Sequence, residues 1–239
     1  MAIRGVIFDL GGTLLQLPAG DHAEVALECD AHLARFLRAA GVAGAQVDAV
    51  VAEARTALQR WRQGGTVRQL TRERNLAAAL RRCGVRLAPR LVGSAALVWC
   101  QPEFGLWRPA AGAAGVLARL RAAGLRVGLC SNTAWHSYVL HLLALHRLER
   151  DLDPVVTSAA VGWRKPDRRA FLPLLRAWGL PAAEVVVVGD DLRCAVAGAA
   201  ALGMATVCIP PAGGDGQGGP RPWRVAADLR QVPEFLLGS

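Results

Sequence analysis

Arg4-Gly5-Val6-Ile7-Phe8-Asp9-Leu10-Gly11-Gly12-Thr13-Leu14 opens with an apolar run and turns on a glycine pair. The continuous apolar stretch from Val6 to Phe8 predicts a buried strand, and Gly11-Gly12 predicts a sharp exit with open backbone. Asp9 is thereby placed at the carboxyl end of a strand, the edge at which open α/β sheets bind their ligands. A helix cap is the poorer account of this acid. A cap is followed directly by an apolar-periodic helix, and Gly11-Gly12 is an unfavourable helix start.

Two other segments repeat the geometry. Residues 125–130 read as a short strand that gives out at Ser131-Asn132-Thr133, and 185–189 as another that gives out at Asp190-Asp191. A turn or cap explains any one polar strand end, but these three are joined by a fourth feature. Lys165 is the single lysine among 28 Lys and Arg residues, and it stands in Gly162-Trp163-Arg164-Lys165-Pro166-Asp167. A compact ammonium on an unbranched stem reaches a phosphoryl oxygen and a carboxylate together, which a planar guanidinium does less well.

The rest of the chain is organised as a core interrupted by helices. Helical patterns with glycine stops are expected at 24–40, 46–62, 70–83 and 89–100. From Trp107 onward helix and strand alternate: helix 110–123, strand 125–130, helix 133–145, strand 155–158, helix 167–178, strand 185–189, helix 192–202 and strand 205–209. A Gly- and Pro-rich loop at 210–222 precedes a last strand at 224–226 and a closing helix at 232–237. Residues 1–16 and 106–239 are therefore expected to form one α/β core, and 17–105 an inserted helical domain.

In chain order, Asp9-x-Gly-Gly-Thr, Ser131-Asn132, Lys165-Pro166 and Gly189-Asp190-Asp191, followed by Gly198-Ala199 and Gly203-Met204, resemble the four motifs of the haloacid dehalogenase-like hydrolase superfamily. The resemblance spans nearly the whole chain. It implies a Rossmann-like, doubly wound parallel sheet core with an all-helical cap of type 1, an insertion that closes over the catalytic face and selects the substrate. It implies a Mg²⁺-dependent phosphohydrolase of small phosphorylated metabolites acting through an aspartyl-phosphate. Asp9 would be the nucleophile and Lys165 the residue that neutralises shared charge. Gly12, Ser131 and Asn132 would bind substrate, and Asp9, Asp190 and Asp191 with the carbonyl of Gly11 would hold the metal. Oxygen-only ligands of this kind suit a hard ion that retains several waters. Of the cap arginines Arg72, Arg74, Arg81 and Arg82, one facing an anionic substrate and a solvated charged face are both open readings.

Two positions depart from the family pattern. Gly11 stands where the phosphatases have a second Asp, and Ala195 where a further acid is common. Glycine offers a carbonyl to metal but no proton to a leaving group, and general acid catalysis is typically worth ~10²–10⁴-fold. Three functions follow: the phosphohydrolase, a metal-free dehalogenase in which Asp9 attacks carbon, and a weak or inactive member acting as a binding protein. The carboxylate pair at 190–191 argues against the second, because without a metal such groups repel each other and the nucleophile.

Composition narrows the setting. With 239 residues, 53% of them hydrophobic, the chain is long enough for a full core plus an accessory domain. The formal net charge of +9 invites a nucleic-acid reading, yet aromatic residues are 5% of the chain and no zinc-finger, helix-turn-helix or RNP-like pattern occurs. No secretory signal or membrane span is expected, because the longest uncharged stretch, 194–214, is broken by Gly198, Gly203, Pro210 and Pro211. The six cysteines have no paired spacing and read as reduced core thiols of a cytoplasmic protein. No pattern sets an oligomeric state.

Overall fold

The computed structural model describes residues 2–17, 22–211 and 221–238. Two compact units emerge, one formed by Met1–Leu17 with Arg108–Ser239 and the other by Pro18–Trp107. In chain order the elements are β1 (Gly5–Phe8), β2 (Leu15–Gln16), α1 (His22–Ala39), α2 (Gly44–Gln63), α3 (Arg72–Arg82) and α4 (Pro89–Phe104). They continue with β3 (Arg108–Pro109), α5 (Ala113–Ala122), β4 (Arg126–Ser131), α6 (His136–Leu145), β5 (Val155–Thr157) and α7 (Ser158–Val161). The last are α8 (Leu172–Trp178), β6 (Val185–Gly189), α9 (Ala197–Ala200), β7 (Ala205–Cys208), β8 (Arg224–Val225) and α10 (Val232–Leu237).

The discontinuous unit is built on a six-stranded sheet in the order β5-β4-β1-β6-β7-β8, with every neighbouring pair parallel. A parallel sheet needs both faces covered, so its central strands are apolar throughout rather than alternating. Val6, Ile7 and Phe8 of β1 are fully buried, as are Val185, Val186 and Val188 of β6. At roughly 1.5–3 kcal/mol for each large apolar side chain removed from water, these strands anchor the unit. Strand order reverses at β1, which lies between β4 and β6. The crevice beyond the carboxyl ends of such a switch point is where doubly wound sheets place their ligands.

Several elements are shorter than the sequence pattern predicts, and the polar residues explain why. The helix expected at 133–145 begins only at His136, because Thr133 is held back by hydrogen bonds with Ser158 and Trp135. That expected at 167–178 divides into a 3₁₀ turn at Arg168–Ala170 and α8, with the Asp167 carboxylate accepting from the Arg169 amide at 2.8 Å. The one expected at 192–202 starts as a π turn at Leu192–Val196 before α9, an irregularity frequent at functional sites. A two-residue antiparallel ribbon, β2 with β3, joins the strand exit to the resumption of the unit at Arg108 and has no counterpart in the sequence reading. Most of the expected 210–222 loop, residues 212–220, lies outside the described residues, as does the start of the expected helical domain at 18–21.

The second unit is helical, α1 to α4, around a core that includes Leu33, Leu37, Val47, Val50, Leu76, Leu80 and Trp99. Thr71 caps α3 by accepting from the Arg74 amide. The fourth helix runs on through Pro102 to Phe104, one turn beyond the expected stop at 100. Among the described residues no helix is long and apolar enough to cross a membrane.

Candidate active site

Asp9 is the first residue beyond β1, and its amide donates to the Val188 carbonyl at 2.9 Å, so the ladder with β6 continues to Asp9. Both carboxylate oxygens are held. One accepts from the Leu10 amide at 2.7 Å; the other lies 2.6 Å from Lys165 Nζ. The Lys165 side chain is 2% exposed and also donates to the Cys130 carbonyl at 2.8 Å. Burial alone would lower the ammonium pKa, but the Asp9 carboxylate beside it outweighs that and holds the group above its ordinary value. Lys165 therefore carries a permanent charge in a nearly dry position.

What aims Lys165 is Asn132. Its carboxamide donates to the Lys165 carbonyl at 3.0 Å and accepts from the Lys165 amide at 2.8 Å, a two-point clamp on the main chain. Both polar atoms of the carboxamide are thus engaged by the Lys165 main chain. A second support is α9, where a Cβ added at Gly198 would lie 2.6 Å from the Pro166 carbonyl oxygen. Only glycine lets that helix pack flat on the Lys165-Pro166 segment. Ser131 closes β4, 6% exposed, in register with Thr157 of β5.

Sequence reasoning passed over Ser158. Its hydroxyl donates to the Thr133 carbonyl at 3.0 Å and accepts from the Thr133 amide at 2.9 Å, tying the loop after Ser131 to the end of β5. The signal was present, since Thr157-Ser158 is a fourth polar strand end behind an apolar pair.

Asp190 follows β6 and reaches across to the glycine turn. A Cβ built at Gly12, whose φ is +74°, would fall 1.9 Å from Asp190 Oδ2. The Gly12 amide is already committed to the Leu15 carbonyl at 2.8 Å. Gly12 thus leaves space for the Asp190 carboxylate. Burial, and after it the negative charge of Asp9, push the Asp190 carboxyl up to about 6. Asp191 behaves in the opposite way. One of its oxygens accepts from the amides of Arg193 and Cys194 at 2.7 and 3.0 Å, capping the π turn. Burial raises its pKa, but a side-chain hydrogen bond with Cys194, those amide bonds and the charge of Lys165 prevail, and the carboxyl is held below its usual range.

Asp191 is therefore tied through one oxygen to its own turn. Among the described residues no group of three or more His, Cys, Asp or Glu side chains is arranged to hold a metal ion. Asp9 and Asp190 form an oxygen-only pair in which the charge of Asp9 resists ionisation of Asp190, a situation a divalent cation relieves. Hard ions such as Mg²⁺ are commonly held by one or two carboxylates, with water completing the shell, so the residues present fit such an ion.

The two departures acquire different meanings. Gly11 sits half-buried at the strand exit, bridged to Leu15. Ala195 is fully buried with Ile7, Cys130, Phe171 and Met204. An acid at 195 would stand in an apolar cluster. Cys130 itself is pushed up to about 12 by burial and remains a thiol. In the helical unit, Arg72 is buried with its guanidinium 4.5 Å from the centroid of Trp99, and Arg82 pairs with Glu53. Arg74 and Arg81 line an apolar groove of about 610 Å³.

The comparisons with known proteins agree with this geometry. The chain is 32% identical over 130 residues to a glyceraldehyde 3-phosphate phosphatase of Pyrococcus abyssi, covering 54% of this chain and 53% of that protein. It thus spans about half the length of that relative. It is 28% identical over 212 residues to a glyceraldehyde 3-phosphate phosphatase of Methanopyrus kandleri, covering 87% and 84%. In fold it resembles a 2-haloacid dehalogenase of Pseudomonas syringae pv. Tomato DC3000, with a TM-score of 0.73, 24% identity and 98% of each chain covered. The family model for haloacid dehalogenase-like hydrolases matches residues 3–203. With the acid at the switch point, the clamped lysine and the second carboxylate inside that span, the chain belongs to the haloacid dehalogenase-like hydrolase family.

Proposed function

We propose that the chain is a Mg²⁺-dependent phosphohydrolase of a small phosphorylated metabolite, working through a phosphate ester of Asp9. The carrying observation is the buried Asp9–Lys165 pair at 2.6 Å, with Asp190 beside it. Asp9, Asp190 and the Gly11 carbonyl are the groups that would hold Mg²⁺, which when bound offsets repulsion between the phosphoryl group and the carboxylates. An Asp9 oxygen attacks phosphorus, the bond from phosphorus to the leaving oxygen breaks, and that oxygen takes its proton from water. Lys165 neutralises charge shared by the phosphoryl group and Asp9, and the Ser131 hydroxyl donates to a phosphoryl oxygen. Water then attacks phosphorus, the bond to Asp9 breaks, and phosphate leaves. The names of the two phosphatase relatives support a small phosphorylated substrate. The six free thiols support a reducing, cytoplasmic setting.

The leaving group is the discriminating feature. Without a carboxyl at Gly11, departure of an alkoxide is slow, whereas aryl and acyl phosphates leave with little need of a proton. The test is a series of phosphate esters graded by leaving-group pKa, run with Mg²⁺ and with EDTA, on the natural protein and on Asp9→Asn and Gly11→Asp. We expect Mg²⁺-dependent turnover that rises steeply as leaving-group pKa falls and vanishes in folded Asp9→Asn. Gly11→Asp should speed the poor leaving groups, glyceraldehyde 3-phosphate among them, by about ten-fold or more. A flat series in the natural protein would mean that another group donates the proton. The same missing acid, with Asp191 committed to capping, favours metal-free hydrolysis of a 2-haloacid as the second reading. Turnover of 2-chloropropionate in EDTA, with none of any phosphate ester, would establish it.

A further inference from the structure

At the opposite edge of the sheet, before the strands begin, lies a cavity of about 560 Å³. Arg4, Arg121 and Arg126 frame it, and Trp178, Leu125 and Leu180 supply apolar wall. Arg4 and Asp9 flank β1 at its two ends, which at ~3.3 Å per residue sets them about 16 Å apart. No step of the proposed hydrolysis uses this end.

Its charges are incompletely balanced. Arg4 pairs with Glu184 at 2.9 Å, and Arg121 stands 4.0 Å from Asp151, at the outer limit of an ion pair. Arg126 is exposed and has no ion pair among the described residues. Its amide donates to the Arg4 carbonyl at 2.9 Å, and its register partner on β1 is Gly5, so the Arg126 stem leaves β4 on the face where Gly5 meets Trp178. The apolar wall is built where β1 starts without a side chain: a Cβ at Gly5 would lie 3.0 Å from the Trp178 ring and 3.1 Å from Leu180. The indole is fixed in place, because Trp178 Nε1 donates to the Asp153 carbonyl at 2.9 Å.

We propose that this cavity binds a small organic anion carrying a flat apolar group, its phosphate, sulfonate or carboxylate facing Arg126 and its ring against Trp178. Guanidinium forks match the paired oxygens of such anions. Indole and leucine surface accept a planar ring, and the volume lies in the range of small-ligand sites.

Trp178 is the reporter. Protein labelled with ¹⁵N at its tryptophan indoles is titrated with 1-naphthalenesulfonate, a probe that a phosphatase does not hydrolyse, and the Trp178 signal is assigned from Trp178→Phe. We expect a saturable shift of that signal, and Arg126→Glu should weaken the affinity by about ten-fold or more. Methanesulfonate and 1-naphthalenemethanol, which carry the anion and the ring separately, should each bind at least about ten-fold more weakly. A Trp178 signal that stays put to the solubility limit of the probe would overturn the site. An equal response in Arg126→Glu would overturn the role of the guanidinium, and equal binding of methanesulfonate the ligand class.

Discussion

Each compact unit buries a long cationic side chain, and the two are held by opposite means. Lys165 of the α/β unit has a carboxylate at 2.6 Å and a carbonyl at 2.8 Å, and its main chain is clamped by Asn132. Arg72 of the helical unit lies on the face of Trp99, has Glu103 only at 3.7 Å, and leaves its buried Nε without a partner. The first cation is surrounded by close directional partners that fix where its charge sits; the second has a ring face, a long ion pair with Glu103 and a side-chain hydrogen bond with Cys100. Burial alone does not mark a functional charge. The partners decide.

The sharpest way to break this contrast is to remove each cation while keeping its bulk. Lys165→Met leaves the Asp9 carboxylate facing an apolar side chain, and breaking a buried pair in this way costs about 3–5 kcal/mol. Urea unfolding should register that loss, and the double variant with Asp9→Asn should recover part of it. If Lys165→Met unfolds at the natural midpoint, the pair is electrostatically idle.

Gly12→Ala tests the other carboxylate. The left-handed backbone alone penalises an L side chain there by about 1–2 kcal/mol, and the new methyl also displaces Asp190 from its place over the turn. We expect lowered stability together with a raised Mg²⁺ concentration for half-maximal turnover. A stability loss with unchanged Mg²⁺ dependence would detach Gly12 from Asp190.

Asp190 should also appear in the pH dependence of metal-free stability. Burial and the charge of Asp9 raise the Asp190 carboxyl to about 6, against an ordinary aspartate value of 3.8. Between those values the folded state binds more protons than the unfolded chain, so stability falls as pH rises through the window. The shift corresponds to about 3 kcal/mol at full weight, reduced to about 1–2 kcal/mol because the group is only half-buried and water screens it. Unfolding in EDTA at a series of pH values should show this slope in the natural protein and lose it in Asp190→Asn.

The smallest effect is expected at Arg72. Arg72→Met removes one partner of a long ion pair whose other partner, Glu103, is 35% exposed, so water solvates the carboxylate left behind. A change within about 1 kcal/mol is expected by urea unfolding. A loss as large as that of Lys165→Met would erase the distinction between the two units.

The β1 and β6 runs were legible because continuous apolar residues bounded by glycine or acid leave few alternatives to a buried parallel strand. Asp9, Ser131 and Asp190 were legible for the same reason, since each stands where such a run ends. Lys165 was conspicuous by composition alone. The alternation of helix and strand after Trp107 carried the α/β class, and glycine stops marked the helices of the inserted unit. Local chemistry suffices for all of these, because period and breaker residues act over a few positions.

Tertiary structure decided what the polar groups do. Asn132 and Lys165 are 33 positions apart, and only folding brings the carboxamide onto the lysine main chain. Nothing local distinguishes Asp190 from Asp191. The first turns toward Asp9 and Gly12, while the second caps its own π turn. The reason is physical: an amide or carboxylate has many equivalent partners in an extended chain, and the packed neighbours choose among them. Gly12 and Ala195 make the same point, because their small size answers to Asp190 in one case and to the apolar cluster around Ile7 in the other, neither of which is near in sequence.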